Sequence, residues 1–225
     1  MLRIDGTLIY ELFHLKQHDV GMCISFILSM VGLIAILPVY FLSLEHLKLQ
    51  RRYGKEKGVI IGDILGLISG WGFFLLWAGI WISPQPRFYV AFPLELSVLL
   101  PIVNLSIPMV HLMMCIPFLI PGAWIAVKAV RATTLRVAET HRTEQIVTTG
   151  IYSVVRHPQY LGGLLSHLGV SLLLSAWYSM LFTPLMLALV YLISKKEEQE
   201  LAREFGNEYE LYRNSVPMLI PRIKN

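Results

Sequence analysis

Two groups of residues have the types that chemistry needs. Arg156, His157 and Tyr160 stand within 150-GIYSVVRHPQYLGG-163, and the acidic pair Glu197 and Glu198 follows further along the chain. Together they could build a polar site for a soluble cofactor at the lipid boundary. Each group also has a plainer use: Arg156 and Tyr160 as a helix anchor at headgroup level, and Glu197 and Glu198 as a solvated helix start. Pro158 suits the first turn of a helix, where its missing N–H costs nothing. His157 then sits near the positive end of that helix, among backbone donors free for a ligand carboxylate or hydroxyl.

The apolar block between the two groups decides whether they meet. Residues 161–194 are too short for two straight crossings, and the tract 175-SAWYS-179 divides them into similar halves, so a tilted or short helical hairpin is predicted. A chain that enters at Tyr160 and returns at Ser194 brings Glu197 back beside His157. Residues about forty positions apart can thus form one pocket.

The rest of the chain is of the same apolar kind. Its 225 residues are 55% hydrophobic and 15% charged, which puts it in the membrane class. Residues 21–44 and 59–82 meet the roughly 20 apolar residues that a span requires, with Pro38 as a kink in the first. Gly62, Gly66 and Gly70 recur at helical spacing and predict a small-residue face for a neighbouring helix, while Asp63 reads as interfacial. Residues 88–130 are broken by Pro93, Pro101, Pro108, Pro117 and Pro121, which predicts kinked helix or a partly re-entrant piece. His111 within it reads as bonded to a neighbouring helix. Residues 128–150 are too charged to cross. Residues 195–222 place Leu201, Phe205, Tyr209 and Tyr212 on one stripe of an amphipathic helix.

Orientation follows from the cations. Lys48, Arg51, Arg52, Lys55 and Lys57 follow the first span; Lys128, Arg131, Arg136, Arg142 and Arg156 lie in or near the polar stretch; the loop after the second span holds only Arg87. The positive-inside rule predicts the first loop, the polar stretch and the tail to be cytoplasmic. One crossing within 88–130 and two within 161–194 then make an all-α integral membrane protein of about five transmembrane helices. The net charge of +4 reflects this loop bias rather than a nucleic-acid partner. Cys23 and Cys115 are isolated, so no metal site or disulfide framework is expected. Neither a removable signal peptide nor a prenylation motif is expected at the termini.

The order of the motifs is more specific than any one of them: a polar segment, Gly-x-Tyr, Arg-His-Pro-x-Tyr-x-Gly, an apolar hairpin, Glu-Glu, then Phe-Gly-x-Glu-Tyr-x-x-Tyr and Val-Pro-x-x-Ile-Pro. In this order residues 140–222 resemble the isoprenylcysteine carboxyl methyltransferases and their phospholipid methyltransferase relatives, integral membrane enzymes that use S-adenosylmethionine. The resemblance implies cofactor contacts from Glu144, Gln145, Ile146 and Val147, from Tyr152, from His157, Pro158, Gln159 and Tyr160, and from Glu197 with its neighbour Glu198. Together with the apolar runs and the cation bias, it suggests a transmembrane region over 1–130, a methyltransferase core over 131–225 and a cofactor pocket on the cytoplasmic side.

Methyl transfer suits these residue types. It is an in-line displacement that needs the acceptor roughly 3–3.5 Å from the methyl carbon, so positioning carries much of the catalysis. A carboxylate acceptor, as on an isoprenylcysteine, is ionised near neutral pH and needs no base. Arg156 is the in-motif cation to orient it. The isoprenylcysteine enzymes resemble one another in an Arg shortly before the acidic pair, where this chain has Ile193. A phospholipid amine acceptor would need a base, and none is obvious. Two other classes stay open. A sterol-reductase-like enzyme would bind NADPH, whose phosphate wants cations where the chain has Glu197 and Glu198. A membrane scaffold would use the same polar residues as anchors.

Overall fold

The computed structural model describes residues 6–90, 96–100, 105–143 and 145–222. Helix α1 (Gly6–Leu44) leads through Glu45 into the short α2 (His46–Tyr53), and α3 (Lys55–Ile82) returns. A two-stranded antiparallel ribbon follows, β1 (Ser97–Leu100) and β2 (Leu105–Pro108), with Val98 opposite Ile107 and Leu99 opposite Ser106. Then come α4 (Met109–Thr133), α5 (Leu135–Thr140), a 3-10 turn (Gly150–Ser153), α6 (Pro158–Leu173), α7 (Trp177–Phe205) and α8 (Asn207–Ser215).

Four of these helices are long and apolar enough to cross a membrane: α1 over 24–44, α3, α4 and α7. Their apolar side chains point outward as well as inward. Leu28 is 64% exposed, Leu75 63% and Ile120 63%, an arrangement that is stable only where hydrocarbon replaces water, because lipid tails solvate such side chains. The protein is thus a helical integral membrane protein.

The expected hairpin is present, but its first arm is short. At 1.5 Å per residue, the 16 residues of α6 reach about 24 Å, less than the roughly 30 Å hydrocarbon core. Among the described residues the bundle therefore has four helices long and apolar enough to cross, with the shorter α6 beside them, where about five spans were expected. Ser175, with φ of 54°, turns the chain between α6 and α7. Its carbonyl accepts from Phe88 N at 3.0 Å, which ties the turn to the loop after α3.

Two other expectations are corrected. Residues 88–130 are not helical throughout: the strand ribbon precedes α4. A proline restricts the residue before it to extended backbone, so Pro108 holds Ile107 in strand and opens α4 one residue later. Pro93, Pro101 and Asn104 lie outside the described residues. The tail is not one helix either. α7 runs on to Phe205, Gly206 breaks it with φ of 56°, and α8 starts anew. The stripe survives the break, since Tyr209, Tyr212 and Val216 pack with Leu201, Phe205 and Ile146.

Small residues set the closest approaches. On α3, Gly62 and Gly66 admit the His46 ring and the Thr140 backbone, where an added Cβ would stand 2.8 and 2.6 Å away. The predicted face thus receives α2 and the end of α5 instead of another spanning helix. The seam between α4 and α6 uses Gly122, Gly162 and Gly169, and a Cβ on Gly162 would lie 2.7 Å from Ala126 N. The core joins α1, α3, α6 and α7 through Leu33, Phe73, Ile80, Leu164, Met186 and Ile193. His111 is buried, with Nδ1 bonded to Leu172 O and Ser175 Oγ, a partner on the neighbouring hairpin as expected.

Candidate active site

The predicted meeting of the two groups occurs at the start of α6. Pro158 occupies the first turn and His157 the N-cap position. The main chain just before this helix is pinned by the tail: Arg156 N donates to Pro217 O at 2.9 Å, and His157 N to Met218 O at 3.1 Å. The α6–α7 hairpin then returns Glu197 and Glu198 to the same place.

The acidic pair divides its work. Glu198 is buried and accepts from Arg156 Nε at 2.7 Å and from His157 Nε2 at 3.1 Å. Arg156 also donates through Nη1 to the carbonyls of Arg213 and Val216, so the guanidinium joins α7, α8 and the tail. Glu197 is more open, its side chain 30% exposed, and accepts from Tyr160 Oη at 2.9 Å. Tyr160 Oη meets Tyr40 Oη at 2.9 Å, and its ring stacks on His157. A phenol relay thus runs from α1 to the carboxylate.

Glu197 faces a cavity of about 460 Å³. Gln145, Ile146, Val147, Tyr152, Arg156, His157, Gln159 and Tyr160, all sequence-predicted, line it as well. Pro158 and Glu198 are buried behind its wall instead, and Glu144 lies outside the described residues. Gln159 Nε2 donates to Thr133 Oγ1 at 3.1 Å and more weakly to Tyr152 Oη at 3.4 Å. Burial raises the Tyr152 phenol to about 12, so it stays protonated. Tyr212 Oη holds Tyr152 O at 2.7 Å, and Tyr209 Oη, buried at the lining, has no partner among the described residues.

Sequence reasoning missed the other side of the cavity. Tyr40, Phe73, Trp77 and Trp81 form an aromatic wall that leads from Glu197 into the apolar zone. His167 Nδ1 accepts from both Trp77 Nε1 (3.0 Å) and Trp81 Nε1 (2.8 Å), which fixes the two indoles. His46 and His141 line the cavity as well. His141 stacks on the Tyr40 ring with centroids 4.1 Å apart. Burial, and then the neighbouring His46, pushes its imidazole down to about 3, and burial lowers His46 likewise. No local motif marks these residues, since the contacts arise between distant helices. The one available signal is the position of His141 just before the polar segment 144–147.

Asp63, within α3, lies 3.7 Å from Arg142 Nε of the polar stretch. Glu45, between α1 and α2, bonds Lys196 on α7 at 2.8 Å, and that bond is the first cause holding its carboxyl below the usual range. The first loop, the polar stretch and the end of α7 therefore share one end of the bundle.

An integral membrane helix bundle with a largely apolar cavity, into which a few carboxylates, phenols and imidazoles project, is the class that fold and site define. The sequence profile of the phospholipid methyltransferase family matches residues 110–208. Over that region, somewhat under half of its length, the chain is similar to this family. It is 38% identical over 89 residues to the protein-S-isoprenylcysteine O-methyltransferase of Schizosaccharomyces pombe, covering 38% of this chain and 37% of that protein. It is 37% identical over 73 residues to methanethiol S-methyltransferase 2 of Bradyrhizobium diazoefficiens, covering 32% of this chain and 27% of that protein. Each match thus spans well under half of the relative. No solved structure matches the chain.

Proposed function

We propose that the protein transfers a methyl group from S-adenosylmethionine to a lipophilic acceptor that enters from the membrane. The observation that carries this is the continuity of the cavity: one end has Glu197, Tyr160, Tyr152 and Gln159, and the other has Phe73, Trp77 and Trp81. A carboxylate, phenol faces and the unpartnered Tyr209 Oη fit a ligand with a cation, ribose hydroxyls and an adenine ring. Gln145, Ile146 and Val147 would flank it, with His157 and Pro158 setting the first turn of α6 and Glu198 fixing His157. The cofactor supplies an electrophilic methyl; the chain supplies position and excludes water.

The acceptor read from the motif order is the carboxylate of an isoprenylcysteine-like substrate, and one relative bears that activity in its name. Such a carboxylate would share the cavity with Glu197, Glu200 and Glu204, while the Arg156 donors Nε and Nη1 are committed to Glu198 and two carbonyls. We therefore favour an uncharged protic head group, a thiol in the first instance, as in the name of the second relative. A phospholipid amine is the next alternative. The acidic lining also weighs against NADPH, whose phosphates need cations.

On the positive-inside rule the cofactor end would face the cytoplasm, and α6 would complete five crossings despite its length. Residues 131–225 would form the catalytic core on a transmembrane base of 1–130. Thermal unfolding of the detergent-purified protein tests the cofactor: S-adenosylhomocysteine should raise the midpoint and NADPH should not. Glu197→Gln should abolish or weaken the shift. Stabilisation by NADPH, or by neither ligand, would reject the reading.

A further inference from the structure

The His141 imidazole lines the cavity, and its neighbours point to one tautomer. Ser43 has a single hydroxyl proton, and Ser43 Oγ donates it to Tyr40 O at 2.7 Å. The same oxygen lies 2.9 Å from His141 Nδ1. A carbonyl can only accept, so with the hydroxyl proton directed to Tyr40 O we assign the ring proton to Nδ1, which donates to Ser43 Oγ. Nε2 is therefore left with its lone pair. Among the described residues Nε2 has no hydrogen-bond partner, and His141 lines the cavity.

The ring is held firmly in that pose. One face stacks on Tyr40, whose hydroxyl continues through Tyr160 to Glu197. The His141 carbonyl accepts from His46 Nε2 at 3.1 Å, and the backbone is left-handed with φ of 56°. A fixed acceptor thus lies one aromatic ring away from the phenol relay that ends at the cofactor carboxylate.

We propose that His141 is a catalytic residue: its Nε2 accepts the hydrogen of a protic methyl acceptor, a thiol in the first instance, and takes the proton as the methyl group is transferred. This deepens the methyltransferase reading and rests on it. In the step the acceptor's S–H bond breaks and leaves its electron pair on sulfur. That sulfur forms the new bond to the methyl carbon, and the pair of the broken methyl–sulfonium bond stays on the cofactor sulfur. The proton goes to Nε2 and then to water at the mouth, where Glu200 and Glu204 also line the cavity. Burial disfavours the imidazolium, so the neutral ring is the resting form.

His141→Asn is the decisive variant. Asn tolerates the left-handed backbone, and its amide can still donate to Ser43 Oγ, but it lacks the Nε2 lone pair. S-Adenosylhomocysteine should raise the midpoint of the variant as it does that of the wild type. With cofactor analogue bound, the further shift produced by an uncharged alkanethiol should shrink. Turnover of that alkanethiol should fall roughly 100-fold or more, whereas an electron-poor thiophenol, already ionised at the assay pH, should lose less than a few-fold. Equal losses on both thiols, or full activity on the alkanethiol, would overturn the role of His141. A wild type that neither responds to S-adenosylhomocysteine nor methylates either thiol would instead overturn the methyltransferase reading.

Discussion

At the scale of single residues, the acidic pair shows how neighbours in sequence can part in role. Successive helical side chains point about 100° apart, so Glu197 reaches the cavity while Glu198 turns inward to Arg156 and His157. His141 shows the effect of burial on a titratable group. Its pKa is pushed down to about 3 in the folded protein against an ordinary value near 6.5, so the unfolded chain binds more protons between those limits. Stability therefore rises with pH across that window and falls as pH drops through it. The melting midpoint in detergent should decline from pH 7 to pH 5, and His141→Asn should flatten that decline. An unchanged slope in the variant would assign the acid sensitivity to other groups.

At the scale of elements, the α4–α6 seam positions the site from behind. Gly162 sits two residues after Tyr160, and an added Cβ would meet the backbone of Ala126 and Gly122, which cannot swing aside as a side chain can. Gly162→Ala should cost about 1–3 kcal/mol by forcing the helices apart. S-Adenosylhomocysteine stabilisation should weaken with it, because Gln159 would lose Thr133 across the same seam. Retention of both stability and ligand response would show that the seam tolerates more separation than its geometry implies. The short α6 also explains a misreading. The tract 175–179 suggests two similar halves of 161–194, whereas the break at Ser175 makes a 16-residue arm and a 29-residue arm, the latter carrying the acidic pair beyond the apolar segment.

At the scale of the whole molecule, two ends of different character emerge. Lys48, Arg142, Lys196 and the cavity mouth gather at one end, and Gln85, Arg87 and the α6–α7 turn at the other. A cysteine introduced at Ser153 should react with a membrane-impermeant maleimide only from the cytoplasmic side, and one introduced at Tyr89 only from the opposite side. Labelling of both from one side would reject the five-crossing topology. The membrane class, the first two spans, the helix entry at Pro158 and the return of Glu197 to His157 were all legible from apolar runs, proline position and motif order. These depend on spacing along one chain.

Tertiary structure alone decided the rest. Tyr40, Trp77, Trp81 and His141 look like ordinary span or loop residues in the sequence. Their meaning comes from packing α1, α3 and the end of α5 around one cavity. The commitment of Arg156 to Glu198 and to the carbonyls of Arg213 and Val216 was equally hidden, because hydrogen bonds across 42 to 60 positions leave no local periodicity. Sequence by itself determined that a polar constellation would meet at the edge of a membrane bundle. Which of its groups are braced and which face the cavity was decided by helix packing, since close approach and directed hydrogen bonds exist only once the helices are assembled.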